Sequence, residues 1–183
     1  MPLSEVQSAV TKDPSRFKVV VASRRWGKSY LSMHEMAKAA RFPNSKVFYI
    51  APTYKMCRQI LWDDIKEKFI RARWAKKINE SNLEITLVNG SRIYLRSADN
   101  PDNLRGVSMS YMIMDEAAMI SQKMWTEVCR PALSDQQGGA MFITTPQGKS
   151  SWVYDLWQGA HTQKDWSAFQ YTTLEGGNVP DHE

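Results

Sequence analysis

Cysteine is scarce in this 183-residue chain: Cys57 and Cys129 are the only two, and neither belongs to a CxxC pair. Two isolated thiols exclude a disulfide framework, point to a reducing compartment and read as small buried side chains. Histidine is as thin, with His34, His161 and His182 standing apart and no HxxxH or similar spacing. A zinc site built by the protein alone is therefore excluded, and any metal has to arrive with a substrate. No apolar run approaches the ~18 residues of a membrane span, and no basic-then-apolar leader opens the chain. Neither a membrane nor a secretory route is expected, and the protein is expected to work in a cytoplasm. What is present is a globular composition, 43% apolar and 23% charged, in a chain long enough to bury a core without staples. The 24 Lys and Arg against 19 Asp and Glu leave a net charge of +5, which permits a polyanionic partner without proving one.

Strand and helix signals alternate along the chain. FKVVVA at 17–22 is a short β-branched run ending in a turn, followed by helical composition from 28 to about 41 and a break at Pro43-Asn44. VFYIA at 47–51 reads as a second buried strand closed by Pro52, and 54 to about 73 reads as a long amphipathic helix. Two β-α units in succession imply a parallel sheet. At 83–95, apolar residues alternate on both sides of Asn89-Gly90. A three-residue loop, Val88-Asn89-Gly90, pairs Ile85 with Ile93 and Leu83 with Leu95 on one face, so a hairpin with Gly90 in the left-handed region is predicted. Further strands are expected at 111–114, 140–145 and 166–172. The fold class is α/β: a P-loop type of single domain over 1–183, with a central, mostly parallel sheet flanked by helices and a hairpin insertion at about 83–95.

The strongest local signal is Ala22-Ser23-Arg24-Arg25-Trp26-Gly27-Lys28-Ser29, between the first strand and the first helix. A phosphate-binding loop needs backbone N–H groups around a phosphate, a Lys for the outer phosphates, a hydroxyl for Mg²⁺ and a helix N-terminus beneath. Gly27, Lys28 and Ser29 meet the last three needs in order, although Ala22 stands where the usual pattern has its first glycine. Ser23, Arg24, Arg25, Trp26, Gly27, Lys28 and Ser29 are the expected phosphate set. Arg24 and Arg25 either stabilise charge during transfer or hold the loop against an acidic neighbour, and Arg24 is taken as the catalytic candidate. Trp26 reads as packing of the loop against the domain.

Tyr111-Met112-Ile113-Met114-Asp115-Glu116 is an apolar strand ending in two carboxylates. Alternation along an extended segment lets Asp115 reach the Mg²⁺ held by Ser29 while Glu116 faces an attacking water, a division that favours hydrolysis over binding alone. Met141 to Pro146 is another buried strand, ending in the hydroxyls of Thr144 and Thr145, which in a parallel sheet emerge at the same carboxyl edge as the loop.

These motifs, in this order and spacing, resemble the ATPase domain of the large terminase subunit, the genome-packaging motor of tailed bacteriophages. The likeness runs from Gln7 to about Thr173 and rests on DPSRF at 13–17, SRRWGKS at 23–29, IAPTY at 50–54, DNPDNLRG at 99–106, MDEAA at 114–118 and TTPQGK at 144–149. The resemblance implies an adenine contact for Gln7, phosphate and Mg²⁺ roles for Lys28 and Ser29, and metal and base roles for Asp115 and Glu116. It also implies that Thr144 and Thr145 couple hydrolysis to movement. Arg105, eleven residues before Glu116, matches the place where some members carry an arginine finger that acts on the neighbouring subunit's ATP, a surface salt bridge being the other reading of an exposed arginine. ATP and Mg²⁺ are the implied cofactors. The implied partners are double-stranded DNA, a portal, a small terminase subunit and further copies in a homo-oligomeric ring, at the procapsid in the host cytoplasm. Family members continue into lid helices and a nuclease domain, and this sequence ends at Asp181-His182-Glu183, about where the lid would begin. A fragment is therefore expected, without nuclease activity because no second acidic cluster is present.

Rival readings are a helicase-like translocase, which needs a second lobe to sandwich the nucleotide, and a nucleotide-dependent binding module in which Glu116 is incidental. The surplus charge itself is local. Eight basic residues between Lys55 and Lys77 against three acids give +5, equal to that of the whole chain. The basicity is assigned to one helix and the turn after it, a face that reads as a solvated helix surface, a subunit contact or a track for a DNA backbone, with Arg71, Arg73, Lys76 and Lys77 as the DNA candidates.

Overall fold

The computed structural model describes residues 2–176, so the expected lid boundary at the end of the sequence lies outside the described residues. In chain order, α1 (Glu5–Lys12) precedes β1 (Phe17–Ala22), α2 (Lys28–Ala39) and β2 (Lys46–Ala51). A helical segment follows: α3 (Tyr54–Cys57), a π-helical turn at Arg58–Trp62 and α4 (Asp63–Arg71). Then come β3 (Ala75–Asn79), β4 (Glu84–Leu87), β5 (Arg92–Ser97), β6 (Tyr111–Asp115), α5 (Arg130–Ser134), β7 (Gly139–Thr144), α6 (Trp152–Ala160) and β8 (Trp166–Tyr171).

All eight strands form one sheet in the order β3-β4-β5-β2-β6-β7-β1-β8. Every ladder from β5 across to β8 is parallel, and only β3-β4 and β4-β5 are antiparallel. The central parallel strands β1, β2, β6 and β7 are mostly apolar because both of their faces are covered. Val20, Ala22, Tyr49, Ile113 and Ile143 pack toward Leu31 and Met36 of α2 and Trp62 and Ile65 of the long helical segment. Val19, Phe48, Ile50, Met114 and Phe142 pack on the other face against Trp125, Leu133 and Val153. Alternate residues of each strand thus serve separate cores.

The hairpin has the expected register, with Ile85 opposite Ile93, Leu95 N–H donating to the Leu83 carbonyl, and Gly90 at φ +84°. It is built into the sheet rather than appended, since β5 pairs in parallel with β2. Sequence reasoning missed β3, and this corrects the charge assignment. The basic run is not one helix plus a turn: Arg71 ends α4, Arg73 takes a left-handed turn at φ 55°, and Lys76 and Lys77 lie exposed on β3, the edge strand. Lysines on an edge strand also keep other strands from pairing there, a role that needs no DNA.

The α1 helix escaped the sequence reading as well, although Ser4-Glu5-Val6-Gln7 carries a capping-box signature. Ser4 Oγ accepts from the Gln7 N–H at 3.3 Å, and Gln7 Oε1 accepts from the Ser4 N–H at 3.1 Å.

Candidate active site

Ligands of open α/β sheets bind beyond the carboxyl ends of the strands. Three such ends meet here in spatial order: β6 with Asp115 and Glu116, β7 with Thr144 and Thr145, and β1 with the 22–29 loop. The strand that carries the threonines therefore stands between the carboxylates and the loop. A cleft of about 720 Å³ opens above this edge, lined by Arg24, Arg25, Gly27, Lys28, Ser29, Asp115 and Glu116 on one side and by Ile60, Asp64 and Lys68 of the long helical segment on the other.

Backbone geometry makes the loop. Gly27 sits at φ 99° and forms the N-cap of the 12-residue α2 without a side-chain cap, so the first N–H groups of that helix are aimed at the cleft's ligand position. Only glycine takes that conformation without strain. Arg25 is also left-handed, at φ 63°. The loop is braced from three directions. Trp26 is fully buried and stacks on Tyr171 at 5.1 Å between ring centroids, and the Ser23 N–H donates to the Tyr171 carbonyl at 3.2 Å. Thr173 Oγ1 donates to the Arg24 carbonyl at 3.1 Å. From below, Gln7 Nε2 donates to the carbonyls of Trp26 at 3.2 Å and Gly27 at 3.4 Å.

This geometry places Trp26 in the packing role expected of it and gives Gln7 protein partners. The indole of Trp26 faces the core, so the residue can meet a phosphate only through its backbone. Gln7 is buried and uses both ends of its amide on the protein, one on the α1 cap and one on the loop. In this structure it is a brace of the loop and not an open adenine contact.

Lys28 Nζ donates back to the carbonyls of Ala22 at 3.2 Å and Ser23 at 3.3 Å. Burial holds its pKa below the usual lysine value, partly offset by the nearby Glu116 and Asp115 carboxylates. The ammonium is thus parked on its own loop, within a short side-chain swing of the cleft. Asp115 is buried, and burial raises its pKa, opposed by hydrogen bonds from the Tyr49 hydroxyl to Oδ2 and from the Glu116 N–H to Oδ1 at 2.8 Å. Each carboxylate oxygen keeps a further lone pair. With the Ser29 hydroxyl lining the same cleft, the donor set is one carboxylate and one alcohol. That set suits Mg²⁺, which keeps several waters and takes one or two protein oxygens beside phosphates.

Glu116 adopts φ 47°, an uncommon conformation for a residue with a Cβ, which turns its side chain away from the path of β6. Its Oε2 accepts a hydrogen bond from Thr145 Oγ1 at 3.0 Å, so the carboxylate and the β7 hydroxyl are joined directly. Thr144 is buried and donates to the Thr145 carbonyl at 3.1 Å. Tyr49 is the residue that sequence reasoning missed. Its signal was a phenol in the middle of the otherwise apolar VFYIA strand, because a buried tyrosine hydroxyl needs a partner.

The remaining candidates lie apart. Arg105 follows a short 3₁₀ turn (Pro101–Leu104), pairs with Asp102 at 3.3 Å and borders a separate cavity with Glu127 and Asp135. It does not reach the loop of its own chain. Arg71 pairs with Glu67 and lines the cleft beside the loop, whereas Arg73, Lys76 and Lys77 do not line it.

Residues 19–179 match the family described as terminase large subunit, T4likevirus-type, N-terminal. The chain belongs to that family. It is 30% identical over 178 residues to the terminase large subunit of Thermus phage G20c, with 84% of this chain and 36% of that protein covered. This terminase chain thus spans little more than a third of that relative's length. Among solved structures, the large terminase ATPase domain of Thermus phage P74-26 is 26% identical with a TM-score of 0.86, covering 97% of this chain and 83% of that one. The large terminase of another thermophilic bacteriophage, in complex with ATP-γ-S, shares the fold, at 17% identity and a TM-score of 0.82, covering 99% of this chain and 47% of that one.

Proposed function

We propose that this chain is the single ATPase domain of a terminase large subunit, which hydrolyses ATP and, within a longer protein, couples that reaction to translocation of double-stranded DNA into a procapsid. The observation that carries the reading is the direct hydrogen bond between Thr145 and Glu116 at the edge of the Lys28 cleft. A carboxylate with no chemical task needs no strained backbone and no hydroxyl from the neighbouring strand to aim it. A relative of the same fold that binds ATP-γ-S is the second support.

In this reading the helix N-terminus and the loop N–H groups take the phosphates, and Lys28 leaves the Ala22 and Ser23 carbonyls to meet the outer ones. Ser29 and Asp115 would hold Mg²⁺, which would supply positive charge against the phosphates. Glu116 orients and deprotonates the water, while Arg24 and Arg25 lie along the cleft wall where charge develops. Thr145 reports the state of Glu116 to β7 and so to the elements around it. Arg105, exposed and remote from its own cleft, acts on the nucleotide of a neighbouring copy in a homo-oligomeric ring. Arg71, Arg73, Lys76 and Lys77 contribute to a DNA-facing surface, with Arg71 at its boundary with the nucleotide cleft. Docking on a portal, work with a small terminase subunit and a location at the procapsid in the host cytoplasm complete the proposal.

The test is steady-state phosphate release from the assembled protein. Glu116→Gln is expected to lower turnover by about 10²- to 10⁴-fold, as loss of a general base does, while ATP-γ-S still binds. Unchanged turnover removes Glu116 as the base. Mixing Arg105→Ala subunits with Glu116→Gln subunits is expected to restore part of the activity, and no restoration removes the action in trans.

A further inference from the structure

Tyr49 is fully buried in the middle of β2, and its hydroxyl donates to Asp115 Oδ2. The pairing of β2 with β6 explains how. Tyr49 stands beside Ile113 in parallel register, and alternate residues share a face, so Asp115 lies on the same face one pleat nearer the carboxyl edge. A phenol is long enough to span that step, whereas Ser or Thr is not. The backbone N–H of Glu116 holds the other oxygen, Oδ1, at 2.8 Å. A carboxylate with a donor on each oxygen cannot rotate freely, and the lone pairs left over point in fixed directions.

We infer that Tyr49 is the positioning residue of the metal carboxylate, its hydroxyl setting the orientation in which Asp115 presents its free lone pairs to the Mg²⁺ that accompanies the nucleotide. The inference rests on the Mg²⁺-nucleotide reading of the cleft. Tyr49 touches neither nucleotide nor metal and acts only through Asp115. A purely structural tyrosine, present to satisfy a buried carboxylate, would change folding stability and leave metal dependence alone. A positioning tyrosine changes what Mg²⁺ adds to nucleotide binding.

The experiment is calorimetric titration of ATP-γ-S into the full 183-residue chain, once with Mg²⁺ and once with EDTA. In the parent chain Mg²⁺ is expected to tighten binding; if it does not, the nucleotide reading itself fails. Tyr49→Phe keeps the ring and removes the hydroxyl. It is expected to leave the EDTA affinity within about twofold of the parent and to lose at least fivefold of the tightening by Mg²⁺. Full retention of that tightening overturns the inference while the nucleotide reading stands, and so does an equal loss in both conditions, which would mean a distorted loop. In the Asp115→Asn background, Tyr49→Phe is expected to change neither affinity further. Where Tyr49→Phe alone does not fold, that double variant decides. It is expected to fold and to bind ATP-γ-S as Asp115→Asn does, and weaker binding gives Tyr49 a role outside the pair and overturns the inference.

Discussion

At the residue scale, the candidate chemistry depends on side chains being aimed by neighbours that carry no charge themselves. Thr145 holds Glu116, Tyr49 holds Asp115, and Gln7 holds the loop that Lys28 serves. Thr145→Val keeps the shape of the side chain and deletes the hydroxyl. It is expected to lower phosphate release about 10-fold, the equivalent of one hydrogen bond of ~1.4 kcal/mol to a charged group, with little change in ATP-γ-S affinity. Thr145→Ser is expected to retain most of the activity, and comparing turnover with affinity for the three proteins checks both points. The chemical identities Lys28, Ser29, Asp115 and Glu116 were legible in the sequence because each is tied to a local pattern of strand, loop and helix. Their supports were not, because the contacts run between residues far apart in the chain: Gln7 with Trp26, Tyr49 with Asp115, Thr145 with Glu116.

At the element scale, hydrophobic periodicity located the strands well wherever they are buried. β1 spans the residues assigned from FKVVVA, and β4 and β5 pair in the register that the alternation at 83–95 requires. The failure was β3, where Ala75 to Asn79 carries two lysines and little apolar alternation because it is a solvated edge. The long helix also ends at Arg71 and contains a π-helical turn, features that composition does not report. The hairpin offers a clean test of its turn. Gly90 sits at φ +84°, and a Cβ there would meet the Asn44 side chain. Gly90→Ala is expected to destabilise the chain by about 1–2 kcal/mol, the cost of forcing an L-residue into the left-handed region. A lower denaturant midpoint with an unchanged m value would bear this out, and an unchanged midpoint would mean that the loop re-forms with another register.

At the scale of the whole molecule, strand order decides what meets at the cleft, and no local pattern encodes it. Placing β7 between β1 and β6 brings the threonines between the loop and the carboxylates. The opposite edge of the sheet carries a buried ionic clasp that ties several elements together. Lys18 Nζ of β1 lies 3.6 Å from Glu35 of α2 and donates to the Val10 carbonyl of α1, and the Tyr111 hydroxyl of β6 donates to Glu35. Both charged side chains are at most 5% exposed, and without Lys18 the Glu35 carboxylate keeps only the half-exposed Lys38, at 4.0 Å, as a cationic partner. Lys18→Met is expected to cost about 3–5 kcal/mol, and adding Glu35→Leu is expected to recover part of that loss rather than double it. Chemical denaturation of the two single variants and the double variant measures the coupling, and strict additivity would show that the two groups do not act as a pair.

In the proposed function the 22–29 loop, Asp115 and Glu116 form one ATP site. The most direct measurement is a crystal structure of the Glu116→Gln variant with Mg²⁺ and ATP. Phosphates are expected on the N-terminus of α2, with Mg²⁺ between Ser29 and the side of the cleft formed by Asp115, and Lys28 Nζ moved from the Ala22 and Ser23 carbonyls onto the outer phosphates. Phosphates bound elsewhere, or a Lys28 still on those carbonyls with nucleotide present, would contradict the proposed function.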